Sequence, residues 1–427
     1  MTTEMIIVLC ILAFMVIMLL THALPYGVTA MICCVLFVFT GTLDLKTAFS
    51  GISGSTVVMV APMIVVASAL GKTSLIHRLR GIMTKLKGAK GIVLVAGLCG
   101  MTIVLSQLMG QVACITVMLL FLQTMDDDGE YSPARMLFIV AVINCIATSK
   151  IPVGMGATMP GTINGYYQGL VGPENLLGIT DYFKAGILPL IVGTIYCVLF
   201  YKMIPNGKIN SDDVKEVKDA APISKKDECL IFGVFIAIML GFMFSGRLGS
   251  DITNTIPAAG LLVLIVFKVL PIPEVMKTLT GDIIWMIAGM STVSVALATT
   301  GVGDLIGQTV LNILGGNPSG LFVTAVFCVA CTVMTNFLSN MGTMALMSPI
   351  AASTALAGGM NVKAVVLTCC VSAWFAFIMP TGCSGSIMAF GMGNHNPFKV
   401  MKFTLPLAVL LMISLVIGIN IFFPIYG

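Results

Sequence analysis

Long apolar segments alternate with short polar connections along all 427 residues of the chain. A straight helix needs about 20 predominantly apolar residues to cross a bilayer. The pattern therefore predicts an all-α polytopic membrane protein of about ten spans. We place these spans at residues 4–21, 26–43, 55–71, 136–168, 184–203, 228–245, 254–270, 283–300, 363–392 and 403–424.

Two further apolar regions, 91–123 and 320–356, are interrupted at their centres by small and polar residues. In the second region the interruption is Thr335–Thr343, and the apolar arm on each side of it is too short to cross a bilayer comfortably. Non-helical backbone at membrane depth is tolerated only where it is buried in protein or lines a cavity. We predict two re-entrant hairpins with their tips at mid-membrane. A single kinked helix is the alternative for the second region.

Composition agrees with a membrane protein, since 58% of the residues are hydrophobic and only 9% are charged. Soluble domains carry about 25% charged residues. The 13 cysteines lie in or beside apolar segments, which favours buried packing over a metal or disulfide framework. We expect no transition-metal site, no cofactor and no nucleic-acid partner. No nucleotide-binding loop is present, so ATP is not the energy source within this chain.

The positions of Lys and Arg predict the orientation, because cytoplasmic connections are enriched in these residues. The connections 72–90 and 204–228 are both rich in them. If both hairpins return to the side that they enter, 17 of the 22 basic residues fall on one side. We therefore predict that these two connections are cytoplasmic, that both termini are external, and that the protein lies in the cell (inner or plasma) membrane.

The two halves of the chain share one order of elements: three spans, a hairpin, a broken helix and a last span. Residues 54–70 align with residues 281–297, and seven of the 17 aligned positions are identical. Five spans per half is an odd number, so the second half must lie upside down. We predict a first repeat at 1–204, a linker at 205–227 and an inverted repeat at 228–427. This is a layout of secondary transporters.

Polar residues gather at the two tips and in the two longest spans, 136–168 and 363–392, which carry Pro and Gly and are predicted to be broken helices. Carboxamides, hydroxyls and freed backbone groups can bind an anion or a cation. The predicted substrate-binding residues are Gly110, Gln111, Thr158, Ser339, Asn340, Thr381 and Ser386. The predicted ion-binding residues are Ser106, Gln111, Gly154, Asn340, Thr343 and Gly382.

Lys150 is the one basic residue that these boundaries bury within a span, because the other lysines in the spans lie at or near their ends. An ionisable residue inside a membrane marks a functional site by default. We predict that Lys150 is a fixed charge that pairs with a substrate carboxylate or takes the place of a coupling cation. The alternative is a lysine that reaches water along a cavity wall, or one that lies nearer the membrane surface.

These features together resemble the divalent anion–sodium symporter family, which carries di- and tricarboxylates or sulfate. Residues 339–341 resemble the family's Ser-Asn-Thr tip motif, and residues 379–391 resemble its second helix break. The resemblance implies Na⁺ as coupling ion, an elevator-type movement and a homodimer in the lipid bilayer. The chain departs from the family pattern at the two tip threonines, which are Val112 and Met341, and at the two break asparagines, which are Thr158 and Ser386.

We therefore predict a secondary-active transporter of a small anion, with a di- or tricarboxylate as substrate. A cation or proton antiporter, or a channel, is the alternative, although the apolar segments lack an obvious acidic pair for it. A remote alternative is an intramembrane serine protease, suggested by the Gly-Cys-Ser-Gly sequence of 382–385. Such an enzyme needs a histidine on a facing helix, and His22, His77 and His395 lie outside separate spans.

Overall fold

The structure is a computed structural model that describes residues 2–21, 23–70, 72–74, 91–122, 131–207, 209, 224–316 and 318–426. Regular structure in these residues is helical, and no strand occurs among them. This confirms the predicted all-α fold class. Three helical stretches of the described chain, 181–203, 272–300 and 397–422, are each long and apolar enough to cross a membrane, and shorter apolar helices of 10–17 residues accompany them.

Nine helices of the described chain belong to the first half. They are α1 (Thr3–Thr21), α2 (Tyr26–Phe39), α3 (Leu45–Ala48), α4 (Ser55–Leu70), α5 (Ile92–Leu108), α6 (Gln111–Leu122), α7 (Pro133–Ala147), α8 (Met159–Tyr167) and α9 (Asp181–Phe200). A short 3₁₀ segment, Gly154–Thr158, leads into α8.

The described helices of the second half follow the same order. They are α10 (Lys225–Met243), α11 (Ser245–Leu248), α12 (Ser250–Val266), α13 (Ile272–Leu279), α14 (Asp282–Thr300), α15 (Val302–Ile313), α16 (Gly320–Thr335), α17 (Asn340–Ala357), α18 (Val362–Ser372), α19 (Ser384–Met392) and α20 (Pro397–Phe422).

Both interrupted apolar regions form two helices joined by a short tip. We call residues 109–111, at the junction of α5 and α6, the first tip, and residues 336–340, at the junction of α16 and α17, the second tip. Each tip includes the first residue of its second helix. The two longest predicted spans are broken, as expected from their Pro and Gly residues. We call residues 148–158 the first break and residues 373–383 the second break. Entry of the tips into a membrane stays a prediction.

The two halves pack on each other reciprocally. Helix α2 packs along α14, α4 along α12, and α9 along α20. Helix α8 of the first half contacts α17 of the second, and α19 of the second half contacts α6 of the first. Each broken helix therefore rests on the tip unit of the other half. A twofold relation would produce this pairing, but the repeat bounds and the inversion stay predictions.

Small residues allow the close contact between α2 and α14. A Cβ atom added to Gly289 would lie 2.6 Å from the Cβ of Ala30, and one added to Gly27 would lie 2.6 Å from the carbonyl oxygen of Asp282. Helices in membranes associate mainly through such close packing, because lipid is as apolar as their side chains. The amide of Gly27 also donates a hydrogen bond of 2.8 Å to Asp282 Oδ1, which fixes the ends of the two helices together.

Charged residues that the sequence places on one side of the membrane are neighbours in the structure. Lys72, just after α4, forms an ion pair with Glu274 of α13. At the opposite end of the helices, Asp181 at the start of α9 lies 3.9 Å from Lys363 at the start of α18. The grouping of these connections thus agrees with the predicted spans.

Which side is cytoplasmic stays a prediction. Most of the 72–90 and 204–228 connections, which carry that prediction, lies outside the described residues, as does most of the 205–227 linker.

Candidate functional site

A cavity of about 440 Å³ lies where the first tip meets both breaks. The first half contributes its tip and four residues of its break, and the second half contributes Met341 beside its tip, Trp374 of its break and the adjoining Ser384. A cavity of this size is within the range of small-molecule sites. Its polar lining consists of Gln111, Thr148, Ser149, Thr158, Thr162, Trp374 and Ser384, and its apolar lining includes Ile64, Ile283 and Met341.

Among the described residues, no Asp or Glu lines this cavity. Its polar groups are amide, hydroxyl and indole groups, which can donate hydrogen bonds without carrying negative charge. Such a lining suits an anion better than a cation, because its donors can bind an anion, whereas none of the described residues lining it is a carboxylate that could balance the charge of a cation. The electrostatic character of the cavity therefore depends on the nearest ionisable residue.

That residue is Lys150, which follows the cavity-lining Ser149 and is only 1% exposed. Its Nζ donates a hydrogen bond of 2.8 Å to the hydroxyl of Tyr182 and lies 4.6 Å from the centre of the Tyr182 ring. It also lies 5.3 Å from the centre of the Trp374 ring, another part of the cavity wall. This burial argues against the alternative in which Lys150 reaches the surface.

No carboxylate of the described part of the chain forms an ion pair with Lys150. Cation–π contacts stabilise an ammonium group only partly, by about 2 kcal/mol when it is desolvated. Burial of an unpaired charge costs more than that. The structure therefore places a buried lysine without a carboxylate partner among the described residues 5.3 Å from the centre of the Trp374 ring, which lines the cavity.

Trp374 itself is a residue that sequence reasoning missed. Its Nε1 is buried and has no hydrogen-bond partner among the described residues. A buried donor without a partner costs about 1–3 kcal/mol, so this enclosed nitrogen is an unmet polar group beside the cavity wall. A signal was available, since Trp374 is one of only two tryptophans and lies in the segment 363–392 that is predicted to be a broken helix.

Three of the seven predicted substrate-binding residues line the cavity: Gly110, Gln111 and Thr158. Gln111 is half-buried, and its amide nitrogen lies 3.7 Å from Cys145 Sγ. Thr158 is buried, and its hydroxyl donates to the carbonyl oxygen of Met155 at 2.7 Å. These three residues belong to the first half of the chain.

The four predicted residues of the second half do not line this cavity, because their polar groups bind inside the protein. Ser339 caps α17 by accepting the amide of Gly342 at 3.0 Å. Asn340 is buried, and its Oδ1 accepts the hydroxyl of Thr335. Thr381 donates to the carbonyl oxygen of Asn336, and Ser386 donates to that of Ala376. The two tips are therefore used differently in this conformation.

The remaining predicted ion-binding residues lie around the breaks rather than in the cavity wall. Ser106 is buried and donates to the carbonyl oxygen of Ile103 at 2.9 Å. Gly154 and Gly382 each pack against a backbone carbonyl of their own half. Thr343 is wholly buried, and its hydroxyl has no partner in the described chain. The hydroxyl of Thr343 is thus the one among these groups that has no partner in the described chain.

Asn336 is a second residue that sequence reasoning missed. Its amide nitrogen donates to the carbonyl oxygen of Phe375 at 3.2 Å, and its Oδ1 accepts the amides of Ile378 and Met379 at 3.0 and 3.1 Å. These three backbone groups belong to the second break, where the helix ladder is interrupted. Buried backbone groups need partners. Asn336 therefore replaces the missing helix bonds and holds the second break against the second tip.

Gln107 plays the equivalent part in the first half. Its amide nitrogen donates to the carbonyl oxygen of Ala147 at 2.8 Å, and its Oε1 accepts the amide of Ile151 at 3.1 Å. The unwound backbone of the first break is thereby fixed to the end of α5. Each half thus has one carboxamide that joins its tip unit to its break. The sequence offers only a weak signal for this, an amide residue at the end of an apolar arm.

Replacing Gly154 with alanine is expected to destabilise the first break. Gly154 has a φ of +58°, and a Cβ atom there would lie 2.3 Å from the carbonyl oxygen of Gln107. The left-handed backbone alone costs about 1–2 kcal/mol for a residue with a side chain, and the contact adds to that cost. A lower midpoint of thermal unfolding in detergent would be the measurement. Gly110→Ala is the matched control, because a Cβ atom added to Gly110 would have no neighbour within 4 Å; equal effects of the two changes would contradict the prediction.

Comparison with known proteins identifies the family. A family model for the sodium:sulfate symporter transmembrane region matches residues 1–426. The chain is similar to an uncharacterized transporter of Haemophilus influenzae, 24% identical over 421 residues that cover 92% of this chain and 87% of that protein. It is also similar to the uncharacterized transporter YfbS of Escherichia coli, 26% identical over 305 residues. That match covers 69% of this chain and 48% of YfbS, so it spans about half of that relative.

Two solved structures share the fold. The YdaH transporter of Alcanivorax borkumensis has a TM-score of 0.58 and is 14% identical, over 90% of this chain and 88% of that one. MtrF of Neisseria gonorrhoeae, described with a class of antimetabolite efflux pumps, has a TM-score of 0.63 and is 14% identical, over 92% of this chain and 85% of that one. At this identity the likeness concerns the fold alone.

The family match confirms the resemblance inferred from the tips and breaks, and it covers nearly the whole chain. Members of the family are transporters, so the protease alternative is not supported and the chain is not an enzyme. The chain belongs to the sodium:sulfate symporter family and is a multi-pass membrane transporter.

Proposed function

We propose that the protein is a secondary-active transporter of a small anion, with a di- or tricarboxylate as its substrate. One observation carries this proposal: the 440 Å³ cavity at the first tip and both breaks is lined by hydrogen-bond donors without a carboxylate among the described residues, and the unpaired Lys150 lies behind its wall. A carboxylate or sulfate oxygen would accept from the side-chain amide of Gln111, which lines the cavity and has only a 3.7 Å contact to Cys145 Sγ.

In this proposal the cavity binds the substrate through the first tip. The amide of Gln111 lines the cavity and supplies donors, whereas the hydroxyl of Thr158 donates to Met155 and offers the cavity only an acceptor. Lys150 supplies the charge that balances one carboxylate. Its Nζ lies 5.3 Å from the centre of the Trp374 ring, which lines the cavity. The second tip joins the site when the transporter changes conformation, since Ser339 and Asn340 are bound within the protein in the present conformation.

Na⁺ is the proposed coupling ion. Support comes from the hydroxyl of Thr343, which has no partner in the described chain and is an oxygen ligand of the kind that such an ion requires. We further propose an elevator-type movement in which the tip units and broken helices move together, and a homodimer in the lipid bilayer. Both follow from the family resemblance. Lys150 takes over part of the role of a cation near the first tip.

Uptake by purified protein in liposomes tests the proposal. The substrate panel consists of labelled C4- and C6-carboxylates, malonate and sulfate, each with and without an inward Na⁺ gradient. We expect saturable uptake of at least one carboxylate that falls when the Na⁺ gradient is removed. Uptake that is unchanged without Na⁺ would remove the coupling. A panel in which no anion is transported would remove the substrate class.

A paired substitution tests the site itself. Changing both Gln111 and Asn340 to alanine is expected to abolish uptake without unfolding the protein, because Gln111 faces the cavity and Asn340 belongs to the second tip. The exposed Gln308 of α15, away from the cavity, offers a matched amide-to-alanine control. Normal transport by the double variant would place the substrate elsewhere.

A further inference from the structure

Two buried cysteines meet beside the candidate site, and the proposed function does not use them. Cys145 lies near the end of α7 in the first half, and Cys383 ends the second break in the other half. Their sulfur atoms are 3.0 Å apart, although 238 positions separate them in sequence. We propose that Cys145 and Cys383 form an oxidation-sensitive thiol pair whose disulfide fixes the substrate cavity in one geometry.

The positions of the two sulfur atoms suit a disulfide. The bond length of a disulfide is about 2.05 Å, so the sulfur atoms need to approach by only about 1 Å. Cys145 lies within α7, whereas Cys383 belongs to the unwound second break, with an extended backbone at φ −156° and ψ 167°. A small adjustment of that segment can close the gap without movement of α7.

Cys383 also occupies a position that favours reaction. It is the N-cap residue of α19, where its sulfur accepts the amide of Ser386 at 3.4 Å and lies 3.3 Å from the Ser386 hydroxyl. Hydrogen bonds donated to sulfur stabilise a thiolate, which is the form that reacts. The next residue, Ser384, lines the 440 Å³ cavity, so a small oxidant that enters the cavity comes close to this sulfur.

The reaction is balanced with hydrogen peroxide as the oxidant. The Cys383 thiolate attacks one peroxide oxygen and releases hydroxide, which forms a sulfenic acid. The Cys145 thiol then attacks the sulfenic sulfur, and the oxygen bound to that sulfur leaves as water with the thiol proton. In sum, two thiols and one peroxide give one disulfide and two water molecules. A thiol reductant reverses the change by exchange.

The disulfide would act on both walls of the cavity. Cys145 is the contact of the Gln111 amide at 3.7 Å, and Cys383 adjoins Ser384. A covalent bond between them links the start of α19 to α7. It therefore links the second half to the first at the contact between Cys145 and Gln111 of the first tip. Movements of a tip against a break, which transport requires, are then restricted. This effect on transport rests on the proposed function, whereas the disulfide itself does not.

The test treats purified protein with hydrogen peroxide and then reads two quantities. Peptide mass mapping after alkylation is expected to show a Cys145–Cys383 link, and the midpoint of thermal unfolding is expected to rise. Liposome uptake is expected to fall about tenfold and to recover with a thiol reductant, because turnover depends on conformational change. Cys145→Ser and Cys383→Ser should each abolish the link and the sensitivity. Cys197→Ser, which removes a buried cysteine of α9, should change neither.

The outcomes separate this inference from the proposed function. If both cysteines remain free to alkylate after oxidation, the inference is overturned. If the link forms but neither the unfolding midpoint nor the uptake changes, the claim that it fixes the cavity is overturned. If the reduced protein transports no anion of the panel but the link forms and raises the midpoint, the proposed function fails while the thiol pair stands.

Discussion

Replacing Lys150 with methionine is expected to make the protein more stable and less active. The Lys150 side chain is buried, and no carboxylate of the described chain pairs with it. Apolar side chains of similar volume in place of buried charges often add about 1–4 kcal/mol to the free energy of unfolding. An anion at about 8 Å would lose about 2 kcal/mol for each charge at an effective dielectric constant of about 20, which is about 30-fold in affinity.

The opposite signs make this prediction specific, because a lysine with a purely structural role would lose stability and activity together. Thermal unfolding and the apparent affinity for uptake are the two measurements. Lys184→Met, at a half-exposed lysine of α9, is the control and should change neither. Tyr182→Phe removes the 2.8 Å hydrogen bond but keeps the ring and the charge, so it should have a much smaller effect on affinity. Normal affinity in the Lys150 variant would rule out its role as a fixed charge.

Replacing Asn336 with alanine is expected to cause a larger loss of stability than any of the other substitutions. The change leaves the carbonyl oxygen of Phe375 and the amides of Ile378 and Met379 without their partner. Each buried group that loses its partner costs about 1–3 kcal/mol. The second break then loses its fixed position against the second tip, so transport should be lost even at temperatures where the protein remains folded.

Graded variants distinguish positioning from simple destabilisation. Asn336→Asp, with its buried carboxyl protonated, keeps an oxygen that accepts two amides and offers one O–H in place of the amide donor, so its unfolding midpoint should lie between those of the natural protein and Asn336→Ala. Asn420→Ala is the matched control, since Asn420 donates to Thr324 and to its own helix, away from both breaks. If Asn336→Ala unfolds and transports as the control does, the proposed positioning role is wrong.

The helical architecture could be predicted from sequence because it depends on local patterns. Apolar runs mark helices, and Pro and Gly at 152–156 and 380–382 mark the points where those helices break. The same local rules located both tips. The predicted span boundaries are less accurate, as with 254–270, where the helix is Ser250–Val266. Polar residues at helix ends explain this, since they neither extend nor stop an apolar run clearly.

The roles of individual polar residues could not be predicted in the same way. Asn336 and Asn340 lie four positions apart in one tip, and the sequence does not tell which one binds the break. Their roles depend on the backbone groups that the second break presents, and that break lies some 40 positions further along. Likewise, Gln111 lines the cavity and Asn340 does not, because the Asn340 side chain is already hydrogen-bonded to Thr335.

The reciprocal packing of the halves has a consequence for biosynthesis. Helix α6 and the adjoining end of α7 are complete long before α19, which is their partner and ends at residue 392. A nascent chain that has reached Phe200 therefore carries a first half whose packing surfaces for the second half are unfilled. Such surfaces are the ones that misassemble or attract quality control. These surfaces of the first half therefore remain without their partner in the bilayer until α19 has been synthesised, when almost the entire chain has left the ribosome.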